Sequence, residues 1–382
     1  MPRILFVGQT GELGGAELVL LDVAQHFRDR CGVVLLADGP LRGRLAEAGV
    51  AVTVIGGGAG LMGVRRHSGL AQALAAIPAL LWLVWRLAAL GRGYDILCPN
   101  SQKAAVATML AGALARRPVV WYLHDILSQD HFAGPLRRIV VALANRLARR
   151  VITNSQASRE AFIRSGGDGR KVAVVLYGIN PAIFDSVSDA EAQRVRDGLG
   201  LRDVSLVGLF GRLSPWKGQH TLVDALPHLP GVHALMVGDA LFGEQDYKAG
   251  LLQRAAANGV ADRIHWMGFR DDVPTLMRAV DVVLHASTSP EPFGRVIVEA
   301  MLARRPLLAA RDGGVIELLG AESPELLTPG DAAALAEAIA RILAAPAAVR
   351  EARVVENDRR ARMLFSAGRM MTELERQLTL AV

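Results

Sequence analysis

Cysteine is almost missing from this chain: Cys31 and Cys98 are the only two in 382 residues. That excludes a disulfide framework and a thiolate zinc site, and it suits a reducing compartment. Aromatic residues are scarce at 5% and charged residues make up 21%, against 51% hydrophobic. So few aromatics argue against an aromatic-rich β-sandwich, and so much apolar material excludes disorder as the main state. The opening MPRILFVGQT has no charged stretch followed by a long apolar run, so no secretory leader is expected. There is no acidic triplet of the kind that demands a metal, and none is expected. The low aromatic content and the lack of a recognised binding motif count against nucleic acid as a partner. A nonenzymatic basic nucleic-acid binder is therefore only a distant alternative.

One uncharged run is long, the 18 residues from Ser68 to Trp85. It reaches the lower limit for a membrane span, but Ser68, Gln72 and Pro78 dilute it and Arg86 ends it. It reads as a helix packed on a sheet, as a helix lying on a membrane surface flanked by Arg65, Arg66, Arg86 and Arg92, or, least well, as a span that would cut a domain in two.

The net charge of +6 is unevenly spread. Met1 to Phe184 carries 21 basic and 11 acidic residues, a net of +10, and the remainder nets −4. Such asymmetry points to an anionic partner for the first half, whether membrane or phosphorylated ligand.

Short apolar runs alternate with helical stretches. RILFVG, GVVLLA, VAVTVI, DILCPN, PVVWYLHD and RVITNS are strand candidates up to Ser155; VSLVGLFG, HALMVGD, IHWMG, VDVVLHAS and RPLLAA follow from Val204. Runs without polar alternation mark strands buried on both faces, and their alternation with helices means α/β domains with parallel sheets. The pattern predicts two doubly wound, Rossmann-like domains facing across a cleft, over 1–185 and 186–365. A last helix over 366–382 is free to pack back on the first domain. Ligands are expected at the carboxyl ends of the strands.

Four segments carry chemistry. GELGGAE (Gly11–Glu17) follows the first strand; Gly14 and Gly15 can take positive φ and admit a ligand to a helix N-terminus, unless this is an ordinary strand-to-helix turn. GRLSPWKG puts Arg212 and Lys217 on one loop, a fork and a point charge able to neutralise a diphosphate, or else two solvated charges. EPFGRVIVE places Glu291 in a loop and Glu299 on the following helix, with exposed amides near Phe293 and Gly294. WYLHD sets His124 at a strand's carboxyl end.

Together with VITNS, YGIN, VGD and GFRDDVP, and in this order over nearly the whole chain, these segments resemble the retaining GT-B glycosyltransferases of family 4, the Glu-x7-Glu type. The resemblance implies a nucleotide-sugar donor, UDP- or GDP-linked, as co-substrate, with no cofactor or metal. Arg212 and Lys217 would hold the donor diphosphate, Glu291 the sugar hydroxyls, and Glu299 the ribose. Amides at Phe293 and Gly294 would assist, Phe269 and Arg270 would line the base pocket, Gly14 and Gly15 would approach the donor, and His124 would sit beside the sugar. Catalysis would fall to His124, Arg212, Lys217 and Glu291. Relatives often read Glu-Gly-Phe-Gly where this chain has Glu-Pro-Phe-Gly, a mild departure at a turn.

The family's first domain takes the acceptor. Its positive charge, with Arg116/Arg117, Arg137/Arg138 and Arg149/Arg150, implies a glycan or lipid-linked acceptor of envelope synthesis at the inner face of the cell membrane. The resemblance thus implies a cytoplasmic enzyme, peripheral at that membrane and touching an anionic surface. The alternative is a soluble transferase acting on a small natural-product acceptor; a nucleotide-sugar epimerase fits the motifs less well.

Overall fold

The computed structural model describes residues 1–56, 75–127, 134–241 and 243–382. Two compact units emerge, one of Met1–Leu176 with Met370–Val382, the other of Tyr177–Arg369. The first holds seven strands: β1 (Ile4–Gly8), β2 (Cys31–Leu35), β3 (Ala51–Val54), β4 (Ile96–Pro99), β5 (Val119–Leu123), β6 (Ala148–Thr153) and β7 (Val172–Val174). They lie in the order β3-β2-β1-β4-β5-β6-β7, and every pairing is parallel. The apolar runs ILFVG and VVWYL are buried at every position, as strands covered on both faces must be. Leu5, Val7, Leu97, Trp121 and Leu123 share one core with Leu83, Leu87, Met109, Val140 and Val141. Of these, Leu83 and Leu87 come from the helix Ile77–Gly91, Met109 from Gln102–Ala115, and Val140 and Val141 from Gly134–Leu147.

The second unit repeats the plan with β8 (Ser205–Phe210), β9 (Val232–Val237), β10 (Ile264–Gly268), β11 (Val282–His285), β12 (Leu307–Ala310) and β13 (Leu326–Leu327), ordered β10-β9-β8-β11-β12-β13 and again parallel. Two strands escape a reading based on apolar runs. β7 is partly exposed throughout and β13 has only two residues, so neither carries a buried-strand signature.

The division falls at 176/177, whereas the sequence suggested 185/186. Tyr177 is buried against Phe293 with ring centroids 4.9 Å apart. Ile179 bridges to Ser366, and Asp185 pairs with Arg362 at 2.6 Å. A Cβ on Gly178 would stand 2.2 Å from the Ser366 carbonyl oxygen, so only glycine lets these segments meet. The polar stretch that looked like a linker contains the helix Asp189–Leu199, started by a capping box between Ser188 and Glu191.

The final helix, Ala367–Thr379, begins in the second unit and from Met370 onward belongs to the first. Met370, Leu374 and Leu378 are buried, Glu375 pairs with Arg30, and Arg150 donates to Gln377 Oε1 at 2.7 Å. Of the uncharged run from Ser68 to Trp85, residues 68–74 lie outside the described residues, as do Arg65 and Arg66. The rest enters the helix Ile77–Gly91, whose Leu83, Val84, Leu87 and Ala88 are buried. Among the described residues no single helix is long and apolar enough to cross a membrane. Replacing the fully buried Leu374 with Ala should destabilise the first unit by about 2–5 kcal/mol, read as a lower urea midpoint with an unchanged slope.

Candidate functional site

In an open parallel sheet the crevice for a ligand opens where neighbouring strands send their connections to opposite sides. The strand orders put that point between β1 and β4 in the first unit and between β8 and β11 in the second. The sequence motifs sit at both places.

In the second unit β8 leads into the loop bearing Arg212 and Lys217, and β11 ends at His285. Gly218 takes φ +70°, and a Cβ there would fall 1.9 Å from the Ala286 carbonyl oxygen. This close approach lays one loop on the end of the neighbouring strand and brings Lys217 Nζ to 2.7 Å from Glu291 Oε2. The Trp216 ring lies 4.2 Å from the same ammonium, a cation–π contact. The Glu291 carboxylate also accepts from Ser287 Oγ at 3.0 Å and lies 3.3 Å from His285 Nε2. Glu291 is only 8% exposed. Burial by itself would push its carboxyl up, but the Lys217 ammonium and the His285 hydrogen bond outweigh it and hold the group well below the usual carboxylate range. The result is a buried, ionised acceptor beside an ammonium that has further N–H donors to offer.

The loop carrying Glu291 is pinned in turn. Gly314 N donates to the Glu291 carbonyl at 2.8 Å. Phe293 turns its side chain into the core between Tyr177 and Phe365, and Phe293 and Gly294 are both buried, not exposed as the sequence suggested, because the loop is pressed onto that core. Gly294 adopts φ +95° and precedes the helix Arg295–Leu302 without a side-chain cap. Glu299 on that helix is 3.5 Å from Arg295 and is not part of the Lys217–Glu291 pair. Arg212 is partly exposed, with its carbonyl held by Gln219 Nε2 at 2.9 Å. After β10, Phe269 is exposed and Arg270 is clasped by Asp272.

In the first unit the sequence expectation for the glycines needs correction. Gly14 is extended at φ −106° and Gly15 opens the helix Gly15–His26; neither takes positive φ. A Cβ on Gly15 would meet nothing within 4 Å, so these residues leave the helix N-terminus open rather than supply a left-handed turn. The tight contact lies just before them: a Cβ on Gly11 would come within 2.3 Å of the Gly39 nitrogen. Asn100, directly after β4, donates from Nδ2 to the Ala16 carbonyl at 3.2 Å, and its Oδ1 is 2.6 Å from His124 Nε2. Asn154 Nδ2 donates to the His124 carbonyl at 3.1 Å. A chain of hydrogen bonds thus ties the glycine loop to His124. Asn100, His285 and Ser287 escaped sequence reasoning; their one signal was their place at the ends of β4 and β11, the strands flanking each switch point.

Burial lowers the His124 pKa from its ordinary 6.5 to about 3, so the imidazole is neutral and Nε2–H donates to Asn100. The unfolded chain takes up this proton near 6.5, and the folded unit refuses it down to about 3. The stability gained by keeping the ring neutral is therefore present above 6.5 and lost as pH falls. Thermal unfolding followed from about pH 7.5 to 4.5 should show a shallower acid slope for His124→Gln than for the unsubstituted chain; equal slopes would contradict a buried neutral His124.

Residues 13–183 match the family described as Glycosyltransferase Family 4, and residues 195–361 match glycosyl transferases group 1. Anabaena HepE, solved in complex with UDP and glucose, is 40% identical with a TM-score of 0.89, over 99% of this chain and 100% of that one. The 2-deoxystreptamine glucosyltransferase of Streptomyces kanamyceticus is 32% identical over 230 residues, 58% of each protein. The phosphatidyl-myo-inositol mannosyltransferase of Mycobacterium tuberculosis is 28% identical over 265 residues, 65% of each. The matches thus span less than two thirds of these curated relatives' length. With full-length likeness to HepE and two parallel-sheet domains, the chain belongs to glycosyltransferase family 4 and has the GT-B fold.

Proposed function

We propose that the protein transfers a sugar from a uridine diphosphate sugar to an acceptor hydroxyl with retention of anomeric configuration. The observation that carries this reading is the Lys217–Glu291 pair at the β8/β11 switch point, 2.7 Å apart and backed by His285 and Ser287. Its charges match the two ends of a sugar diphosphate. Lys217 and Arg212 take the phosphate oxygens, and the ionised Glu291 accepts from sugar hydroxyls. The N-terminus of the helix Arg295–Leu302, which has no side-chain cap, is assigned further donors in the Phe293 and Gly294 amides. Glu299 is assigned to the ribose, and Phe269 with Arg270 to the base. His124, neutral and hydrogen-bonding, suits a sugar hydroxyl. The complexes of HepE with UDP and glucose support uridine as the base.

In the reaction the bond from C1 to the diphosphate oxygen breaks while the acceptor oxygen bonds to C1 on the same face. The acceptor's proton passes to the departing phosphate. Charge grows on the phosphate oxygens, where Arg212 and Lys217 stabilise it. In this reading those two cations supply the charge a metal ion supplies elsewhere, so transfer persists in EDTA. A ligand that binds only the folded state raises its melting temperature. UDP should therefore raise Tm more than GDP or ADP, and Lys217→Ala should weaken UDP binding by at least about tenfold. No shift with any nucleotide would defeat the proposal.

For the acceptor, we propose a lipid-linked glycan met at an anionic membrane surface on the inner face of the cell membrane. The helix Ile77–Gly91 supports this. Opposite its buried face, Ile77, Leu81, Trp82 and Trp85 are 44%, 62%, 42% and 59% exposed. The Arg86 guanidinium lies over the Trp82 ring at 5.8 Å, and Arg117 donates to the Arg92 carbonyl at the helix end. Tryptophan beside arginine on an apolar face suits the headgroup boundary of an anionic bilayer. At low salt the protein should float with phosphatidylglycerol vesicles and not with phosphatidylcholine, and the double variant Trp82→Ser, Trp85→Ser should lose at least about tenfold in partitioning. Failure to bind either vesicle would favour a small soluble acceptor, the reading closer to the 2-deoxystreptamine enzyme.

A further inference from the structure

A second cationic site lies at the other end of the second sheet. Asp281 immediately precedes β11, and its backbone N–H donates to the Leu206 carbonyl at 2.7 Å. Arg305 stands two residues before β12. Both therefore sit at the amino-terminal ends of strands, away from the carboxyl ends that carry Lys217 and Glu291. Between them and the helix Asp189–Leu199 opens a cavity of about 290 Å³, whose charged lining is Asp189, Arg196, Arg278, Asp281 and Arg305. Three guanidinium groups thus share the cavity with two carboxylates.

The pairing identifies which cation is in surplus. Arg196 is committed: its Nε donates to the Ala279 carbonyl, its Nη1 to the Val204 carbonyl, and its Nη2 pairs with Asp281 at 2.7 Å. Arg278 meets Asp189 through Nε at 2.9 Å, while the Asp189 side chain is 81% exposed, a contact that solvent weakens. Arg305 Nε is buried and has no hydrogen-bond partner among the described residues. Burial and the neighbouring Arg278 and Arg196 press against its positive charge, and the nearby Asp281 and Asp189, each already paired with another arginine, offset this only in part. A guanidinium in such a place calls for an anion, and its planar fork matches the oxygens of phosphate.

We infer that this cavity binds a small phosphate-type oxyanion, free phosphate or the phosphate of a small ester, between Arg305 and Arg278. The site is separate from the donor site, carries no reacting atoms, and joins the start of two central strands to the first long helix of its unit. An anion there would tie these elements together and stabilise the unit.

The test is thermal unfolding of the full chain with potassium phosphate or glucose 1-phosphate titrated against potassium chloride at equal ionic strength. The expected result is a saturable rise in Tm that survives Lys217→Ala, which disables the donor site. The apparent Kd should rise at least about tenfold in Arg305→Met and partly recover in Arg305→Lys. A stronger effect of the ester would identify a phosphorylated metabolite, and equal effects free phosphate. Should Arg305→Met fail to fold, Arg278→Met carries the same expectation. The inference is overturned if phosphate does no more than chloride, or if the rise disappears in Lys217→Ala and persists in the arginine variants.

Discussion

A strand that runs parallel to its neighbour cannot return through a hairpin. It must cross over, and each crossover leaves from the carboxyl end of one strand to re-enter at the amino end of another. Every pairing in both sheets obeys this constraint, and the placement of functional groups depends on it. All the loops that follow strands gather on one edge of each sheet. Where the order reverses, between β1 and β4 and between β8 and β11, adjacent loops part and leave room for a ligand. The Gly11–Gly15 loop with Asn100 occupies the first such place, and Lys217 with Glu291 the second.

Within that geometry the two polar centres solve opposite electrostatic problems. Glu291 is buried yet charged, because Lys217, His285 and Ser287 surround one carboxylate oxygen. His124 is buried and neutral, because burial makes an imidazolium there costly to desolvate. One group thus presents a fixed negative charge and the other a fixed dipole, and each holds its state across the physiological range. The charge asymmetry of the sequence gains a finer meaning from this. The cations suited to a diphosphate lie in the net acidic half, whereas the basic excess belongs to the other half.

Much of the fold was legible. Eleven strands announced themselves as apolar runs, because burial on both faces leaves no room for polar alternation. β7 and β13 did not, being partly exposed or very short. The boundary was misjudged because a polar stretch looks alike as linker or as capped surface helix; only the packing of Tyr177 on Phe293 and of Gly178 on Ser366 assigns the segment. The paired residues of the candidate site were visible as motifs, whereas His285 and Asn100 were hidden inside strand ends. A histidine or asparagine there has no local signature, and its importance depends on which strand lies next to it.

The sequence by itself determined the α/β class, the two sets of alternating strands, the loops rich in glycine and charge, and the apolar helix that follows β3. These are properties of local periodicity and composition, which each segment carries alone. The tertiary structure decided which charges meet. Lys217 and Glu291 are 74 positions apart, and their pairing follows from β8 and β11 lying side by side with Gly218 pressed against Ala286. It also decided that, among the described residues, Arg196 pairs with Asp281 and Arg278 with Asp189 while the Arg305 Nε has no hydrogen-bond partner. Electrostatic energies depend on distance and burial, and a sequence specifies neither until the chain has folded.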